Sequence, residues 1–265
     1  MPSGPPQIVA FGGGGFSMDC GNTLLDDHVL SLTGVQRPSV CFLPTASGDA
    51  DHYIVRFYRA FAHARCQPSH ISLFRRATGV GDPRAHLLEQ DLVYVGGGSL
   101  VSMLATWRAH GIDTALRDAW RAGVVLCGGS AGSLCWFSHV VSAFHEGPAR
   151  RMMGLGFLPW SNAVHYEDEP GRRGAFHDAV ADGMPSGYGA CDGAALHFLG
   201  TELAEVICSH PGARAVHVSR GDGDVLEREL PGRYLGEVGT PPAMSGAGGG
   251  KGVIAADGEG AVIAA

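Results

Sequence analysis

The seven cysteines contain no C-x-x-C pair, and their odd number and wide spacing argue against a disulfide frame or a structural zinc site. The thirteen histidines form neither H-x-H nor H-E-x-x-H, so no short-range ligand pair announces a catalytic metal; a site assembled from distant positions is left open. Nowhere do about 18 apolar residues run together, and the start Met-Pro-Ser-Gly-Pro-Pro has neither the positive charge nor the apolar stretch of a signal peptide. A cytoplasmic protein is expected. Basic runs are missing too. With Lys+Arg 19 against Asp+Glu 26 the net charge is -7, a field that repels nucleic acid and anionic membranes. What the chain has is length and apolar content: 265 residues, 45% hydrophobic and 17% charged, enough for a large core and inconsistent with disorder. One domain is expected over residues 7–235, after a short extension, 1–6. A glycine- and alanine-rich tail, 236–265, has little to bury.

Short apolar runs that end in glycine or turn residues alternate with stretches of helical period, the pattern of βαβ units around a mostly parallel sheet with helices on both faces. Strands are expected at Gln7 to Phe11, Val40 to Leu43, Ile71 to Phe74, Leu92 to Val95 and Val124 to Cys127. Helices are expected at Leu24 to Leu32, Tyr53 to Ala64 and Asp113 to Arg121, and another is marked by Leu100, Met103, Leu104 and Trp107 at i, i+3, i+4, i+7. In the second half, strands near Ala163 to His165, Gly187 to Ala190, Ala194 to Phe198, Val206 to Ile207 and Ala215 to Val218 surround one helix near Ala175 to Ala181. Consecutive short strands there suggest antiparallel additions at one edge of the sheet.

The strand ending at Cys127 runs into Gly128-Gly129-Ser130-Ala131-Gly132, with Ser133 to Phe137 reading as the first turns of a helix. This is G-x-S-x-G between strand and helix. A serine on such a tight turn presents its hydroxyl beyond the sheet edge, and glycines two residues away on either side remove side chains for which the turn has no room. The turn aims the Ala131 N–H at charge developing on an attacked carbonyl oxygen. A plain glycine-rich turn, holding a phosphate or nothing, is the competing reading. Cys127 and Cys135, on the flanking strand and helix, read as core thiols. A serine hydroxyl needs a base, and the base an orienting acid. Among the later histidines, His165 stands at the end of a short strand, where parallel sheets place their sites. Asp192 follows the strand Gly187 to Ala190, with Asp168, Asp178, Asp182 and Glu146 as competitors. Gly96-Gly97-Gly98 leaves another strand without side chains and offers a second oxyanion N–H; it lacks the Lys-Ser/Thr of a phosphate loop. Gly12 to Gly15 does not satisfy G-x-G-x-x-G and reads as a flexible loop near the site.

Three motifs in order, Phe42-Leu43-Pro44-Thr45-Ala46-Ser47, Val95-Gly96-Gly97-Gly98 with Trp107-Arg108 on the next helix, and Gly128-Gly129-Ser130-Ala131-Gly132, resemble the peptidase E (aspartyl dipeptidase) family of serine peptidases. The resemblance spans about Gln7 to Leu235. It implies a fold similar to class I glutamine amidotransferases, with serine replacing their elbow cysteine. It further implies Ser130 as nucleophile, His165 as general base, Asp192 as third member, and the N–H groups of Gly98 and Ala131 as the oxyanion hole. The implied substrate is a short peptide with N-terminal aspartate, whose side chain an arginine downstream of the histidine holds; Arg173 is the nearest match, with Arg172 beside it. Ser99 stands at a substrate-binding position where the family's archetype has asparagine, Asp192 where it has glutamate, and the spacing from His165 to Arg173 is compressed. No metal or organic cofactor is implied, and a homodimer is compatible with the fold. Cyanophycin, an aspartyl polymer, falls within the substrate class because its hydrolase has a related elbow. Two rivals remain. One is an α/β-hydrolase esterase in the order Ser130, Asp192, then His210 or His217; the other is a non-catalytic amidotransferase-like binding module.

Overall fold

The computed structural model describes residues 4–75, 80–143, 147–221 and 224–236. In chain order the first half contains β1 (Gln7–Phe11), α1 (Leu24–Leu32), β2 (Ser39–Leu43), α2 (Asp51–Ala60), β3 (Gln67–His70), α3 (Pro83–Leu88), β4 (Leu92–Val95), α4 (Leu100–His110), α5 (Ile112–Arg121) and β5 (Val125–Gly129). The second half contains α6 (Ala131–Leu134), β6 (Phe137–Ser142), β7 (Arg150–Met153), β8 (Leu158–Val164), α7 (Arg172–Ala181), β9 (Gly187–Ala190), β10 (Ala194–Leu199), β11 (Glu202–Cys208), β12 (Ala215–Arg220), β13 (Val225–Leu230) and β14 (Gly232–Tyr234).

The strands form two sheets. One has eight strands in the order β14-β11-β10-β1-β5-β4-β2-β3; the other has six, β13-β12-β9-β8-β6-β7. In the larger sheet β1, β5, β4, β2 and β3 are parallel, and the antiparallel β10 and β11 extend it beyond β1. The expected α/β architecture is therefore present, with a correction. The later strands do not all add to one edge, because β6 to β9, β12 and β13 make a sheet of their own.

Strand periodicity explains why the parallel strands read as continuous apolar runs. Along β1, Ile8 and Ala10 join a core shared with α4, α5 and the smaller sheet, while Val9 and Phe11 join an aromatic core under α1 and α2. Cys41 and Leu43 against Val40 and Phe42 repeat the division on β2. Both faces are covered, so neither parity can be polar. On α4, Leu100, Met103, Leu104 and Trp107 are all buried, as their spacing predicts. Their strip closes on the sheet, and Trp107 Nε1 donates to Thr45 Oγ1 at 3.0 Å.

Several boundaries move. The strand expected at Ile71 to Phe74 lies instead at Gln67–His70, where edge pairing with β2 fixes four residues of low apolarity. The helix after Ser130 is only Ala131–Leu134; Phe137 already begins β6, which pairs in parallel with β8. Beyond residue 236, the tail lies outside the described residues, as do His145 and Glu146. Among the described residues no helix is long and apolar enough to cross a membrane.

Candidate active site

Ser130 sits where β5 meets α6, with φ 56° and ψ -120°. For a residue with a side chain this backbone costs on the order of 1–3 kcal/mol, and the surroundings hold it there. Its carbonyl accepts the N–H groups of Ser133 and Leu134 at 2.9 and 3.0 Å. A Cβ at Gly128 would stand 2.5 Å from Gly132 O, and one at Gly132 would stand 2.2 Å from Val95 O. The two glycines of G-x-S-x-G are thus required by backbone packing, independent of any ligand. Cys127 and Cys135 are buried, and burial raises both thiols well above their ordinary range, so neither offers a thiolate.

His165 follows the last residue of β8 and also has positive φ, 51°. Its N–H donates to Gly12 O at 3.2 Å, and its carbonyl accepts from Glu169 N at 3.0 Å. This turns the ring back over the sheet ends. His165 Nδ1 lies 2.5 Å from Asp192 Oδ1, in the loop between β9 and β10. With Nδ1 held by a carboxylate, Nε2 is the ring nitrogen left to take a proton. The Asp192 N–H donates to Asp168 Oδ2 at 2.8 Å, so one competitor for the acidic role braces the other. Asp178 lies on α7 and Asp182 at its C-terminal end.

The Gly12 to Gly15 loop, read from sequence as a flexible neighbour, is a structural strut. Gly13 bridges to Asp192 in parallel fashion and its carbonyl accepts from Gly193 N at 3.0 Å. A Cβ on Gly13 would stand 1.9 Å from Asp192 Oδ1 and 2.9 Å from His165 Cε1. Only a residue without a side chain lets β1 pass this close to both ionisable groups.

Two cavities meet at Ser130 and His165. One, of 380 Å³, has Gly98, Ser99, Ala131, Glu169 and Arg172 in its wall. The other, of 510 Å³, is bordered by His52, Tyr53, Arg56, Gly97, Asp168 and Asp192. Gly98 and Ala131 line the first cavity together with the serine. Gly97 is different: its N–H donates to the Tyr53 hydroxyl at 3.1 Å. Tyr53 was not singled out by sequence, since nothing local distinguishes it from the other apolar positions of α2. Ser99 borders the cavity while its hydroxyl caps α4, accepting from Ser102 N at 3.3 Å.

The two arginines have different surroundings. Arg173 is exposed and forms a two-pronged pair with Glu227 on β13, at 3.0 and 2.9 Å, away from both cavities. Arg172 is buried at the wall of the 380 Å³ cavity, donating to Val141 O at 2.9 Å and pairing with the Glu169 carboxylate. The reason is helical geometry: successive residues of α7 are rotated by about 100°, so only one of them can face the site. Of the histidines considered for the other order, His210 pairs with Asp19 at 3.0 Å and His217 packs against Trp160 and Tyr188. Neither borders a cavity containing Ser130.

Comparison with known proteins places the chain in a family. Residues 8–206 match the profile of peptidase family S51. An uncharacterised peptidase of Bacillus subtilis, YgaJ, is 44% identical over 231 residues, covering 87% of this chain and 99% of that one. A peptidase E of Streptomyces coelicolor is 36% identical over 137 residues, 50% of this chain and 53% of its own. The crystal structure of a peptidase from an acI-B1 actinobacterium has a similar fold, with TM-score 0.64 at 18% identity, covering 88% of this chain and 96% of that chain. The chain belongs to peptidase family S51 and is a serine-type peptidase.

Proposed function

We propose that the protein hydrolyses short peptides, dipeptides with N-terminal aspartate foremost, through Ser130, His165 and Asp192. The observation that carries the reading is the 2.5 Å contact of His165 Nδ1 with Asp192 Oδ1 beside a serine whose strained turn points it between two cavities. Ser130 Oγ bonds to the scissile carbonyl carbon as its proton passes to His165 Nε2, while Asp192 stabilises the imidazolium. The carbonyl oxygen, now negative, lies toward the amides of Gly98 and Ala131, each worth about 3 kcal/mol in comparable sites. The C–N bond then breaks, the leaving amine takes the proton from His165, and water repeats the sequence on the acyl-enzyme.

This substrate class is supported by the wall of the 380 Å³ cavity, where Arg172 and Glu169 stand together. An N-terminal aspartate carries a carboxylate and an ammonium close to one another, a charge pair complementary to guanidinium and carboxylate. Arg172, rather than Arg173, is the cation for the side chain. Val141 O and Glu169 occupy part of its fork of five donors and leave the rest for a ligand. An Asp-X, Glu-X and neutral X-X dipeptide panel tests this. Asp-X is expected to lead for the wild type, with kcat/KM falling about a hundredfold in Arg172→Lys and staying within about twofold in Arg173→Ala. A wild type indifferent to the first residue, or a preference lost in Arg173→Ala alone, would refute the assignment.

A further inference from the structure

On the side of the larger sheet covered by α1, three possible ligand atoms converge, and two of them, both imidazole nitrogens, have no hydrogen-bond partner. His28 is on α1, His197 on β10 and Glu205 on β11, and one ligand atom from each lies within 4.8 Å of the others. His197 is 5% exposed. Its Nε2 is 2.9 Å from Gln7 Oε1, an acceptor, so the ring proton sits on Nε2 and the Nδ1 lone pair turns inward. There it faces Glu205 Oε1 at 3.5 Å. His197 Nδ1 and His28 Nε2 are both buried without a hydrogen-bond partner. Two imidazole nitrogens are thus buried without a partner beside a carboxylate oxygen, an arrangement that is costly when buried and that a cation relieves.

We propose that His28 Nε2, His197 Nδ1 and Glu205 Oε1 bind a divalent transition-metal ion of the zinc class, at a site separate from the peptidase centre. Two imidazoles and one carboxylate are a donor set suited to zinc, and tetrahedral bonds of about 2.0–2.1 Å place donors roughly 3.3 Å apart. The His197 to Glu205 separation is already close to this, so the half-buried His28 ring supplies the closing movement. Outer contacts are in place: Gln7 fixes the His197 tautomer, and Arg233 holds Glu205 from Nε to Oε2 at 2.9 Å and from Nη2 to Oε1 at 3.0 Å. The guanidinium also repels a cation, which limits the affinity. The three ligands come from a helix and two strands, so the ion ties α1 to the antiparallel edge of the sheet, and its role is to stabilise the fold.

The test is a titration of the chelator-stripped full chain with Zn²⁺ and with Co²⁺. One equivalent is expected to bind saturably, with tetrahedral visible bands for Co²⁺ and a rise in Tm that grows with free metal. His28→Gln and Glu205→Gln are each expected to weaken binding about a hundredfold and to abolish the bands. Absence of saturable binding to the wild type overturns the site, as does undiminished one-equivalent binding in both folded variants. Should either variant fail to fold, anomalous diffraction from a zinc-soaked wild-type crystal decides: an ion on these three atoms supports the proposal, and an ion elsewhere or none overturns it.

Discussion

The two sheets contribute chemically different things to the cleft. The eight-stranded sheet ends in Ser130 and in the amides of Gly98 and Ala131, groups that hold their protonation state at neutral pH and are aimed by backbone alone. The six-stranded sheet delivers His165 from β8 and Asp192 from the loop after β9, groups defined by the proton they hold or attract. Gly12 and Gly13, at the end of β1, cross from one sheet to the other and set the distance between the two kinds of group.

This division ranks the expected damage. Ser130→Ala removes the nucleophile and should cost about 10⁶ in kcat, leaving only residual catalysis from the amides, with unchanged circular dichroism. Turnover within tenfold of wild type would mean that the eight-stranded half supplies no nucleophile. Asp192→Asn keeps shape but removes the charge that stabilises imidazolium, and the expected loss is about 10⁴ in kcat with KM little changed. Gly13→Ala touches neither group's chemistry. Its methyl would collide with Asp192 Oδ1, so the pair must part, and a loss of about 10² is expected. A fully active Gly13→Ala would show that the strut between the sheets is dispensable.

The same division governed what could be read without coordinates. Strands β1, β2, β4 and β5 are covered on both faces, so they appear as plain apolar runs, and the elbow glycines are demanded by contacts within a few residues or one strand away. The strained turn at Ser130 and the glycine turn ending at Gly98 were legible for that reason. The smaller sheet is half exposed at β7 and β13, and its strands carry Arg150-Arg151 and Glu227-Arg228-Glu229, which have no apolar signature. Its existence as a separate sheet was therefore hidden. Which of Arg172 and Arg173 faces the cavity depends on the rotation of α7, set by the packing of Phe176 and Val180, and no local pattern fixes that phase. The bracing of Asp192 by Asp168, and of Gly97 by Tyr53, joins residues 24 and 44 positions apart and was likewise out of reach.

The smallest effect on turnover is expected at a buried carboxylate of the helix that covers the eight-stranded sheet. Asp26, on α1, is 1% exposed and its Oδ1 has no hydrogen-bond partner. Burial raises its carboxyl to about 7, against the opposing pull of Arg65. The unfolded chain releases this proton near pH 4, while the folded protein keeps it until about pH 7. Between those values the folded state binds more protons, so the contribution of Asp26 to stability is full below pH 4 and is lost as pH rises to about 7. Asp26→Asn cannot ionise and escapes that loss. The variant's Tm, measured relative to wild type, should therefore climb from about pH 4 to about pH 7 and level off above it, while kcat/KM changes less than threefold because no titrating group of the larger sheet takes part in the chemistry. A Tm difference that stays constant over this range would show that Asp26 is already charged in the folded protein, and a large fall in kcat would break the separation between the two halves of the site.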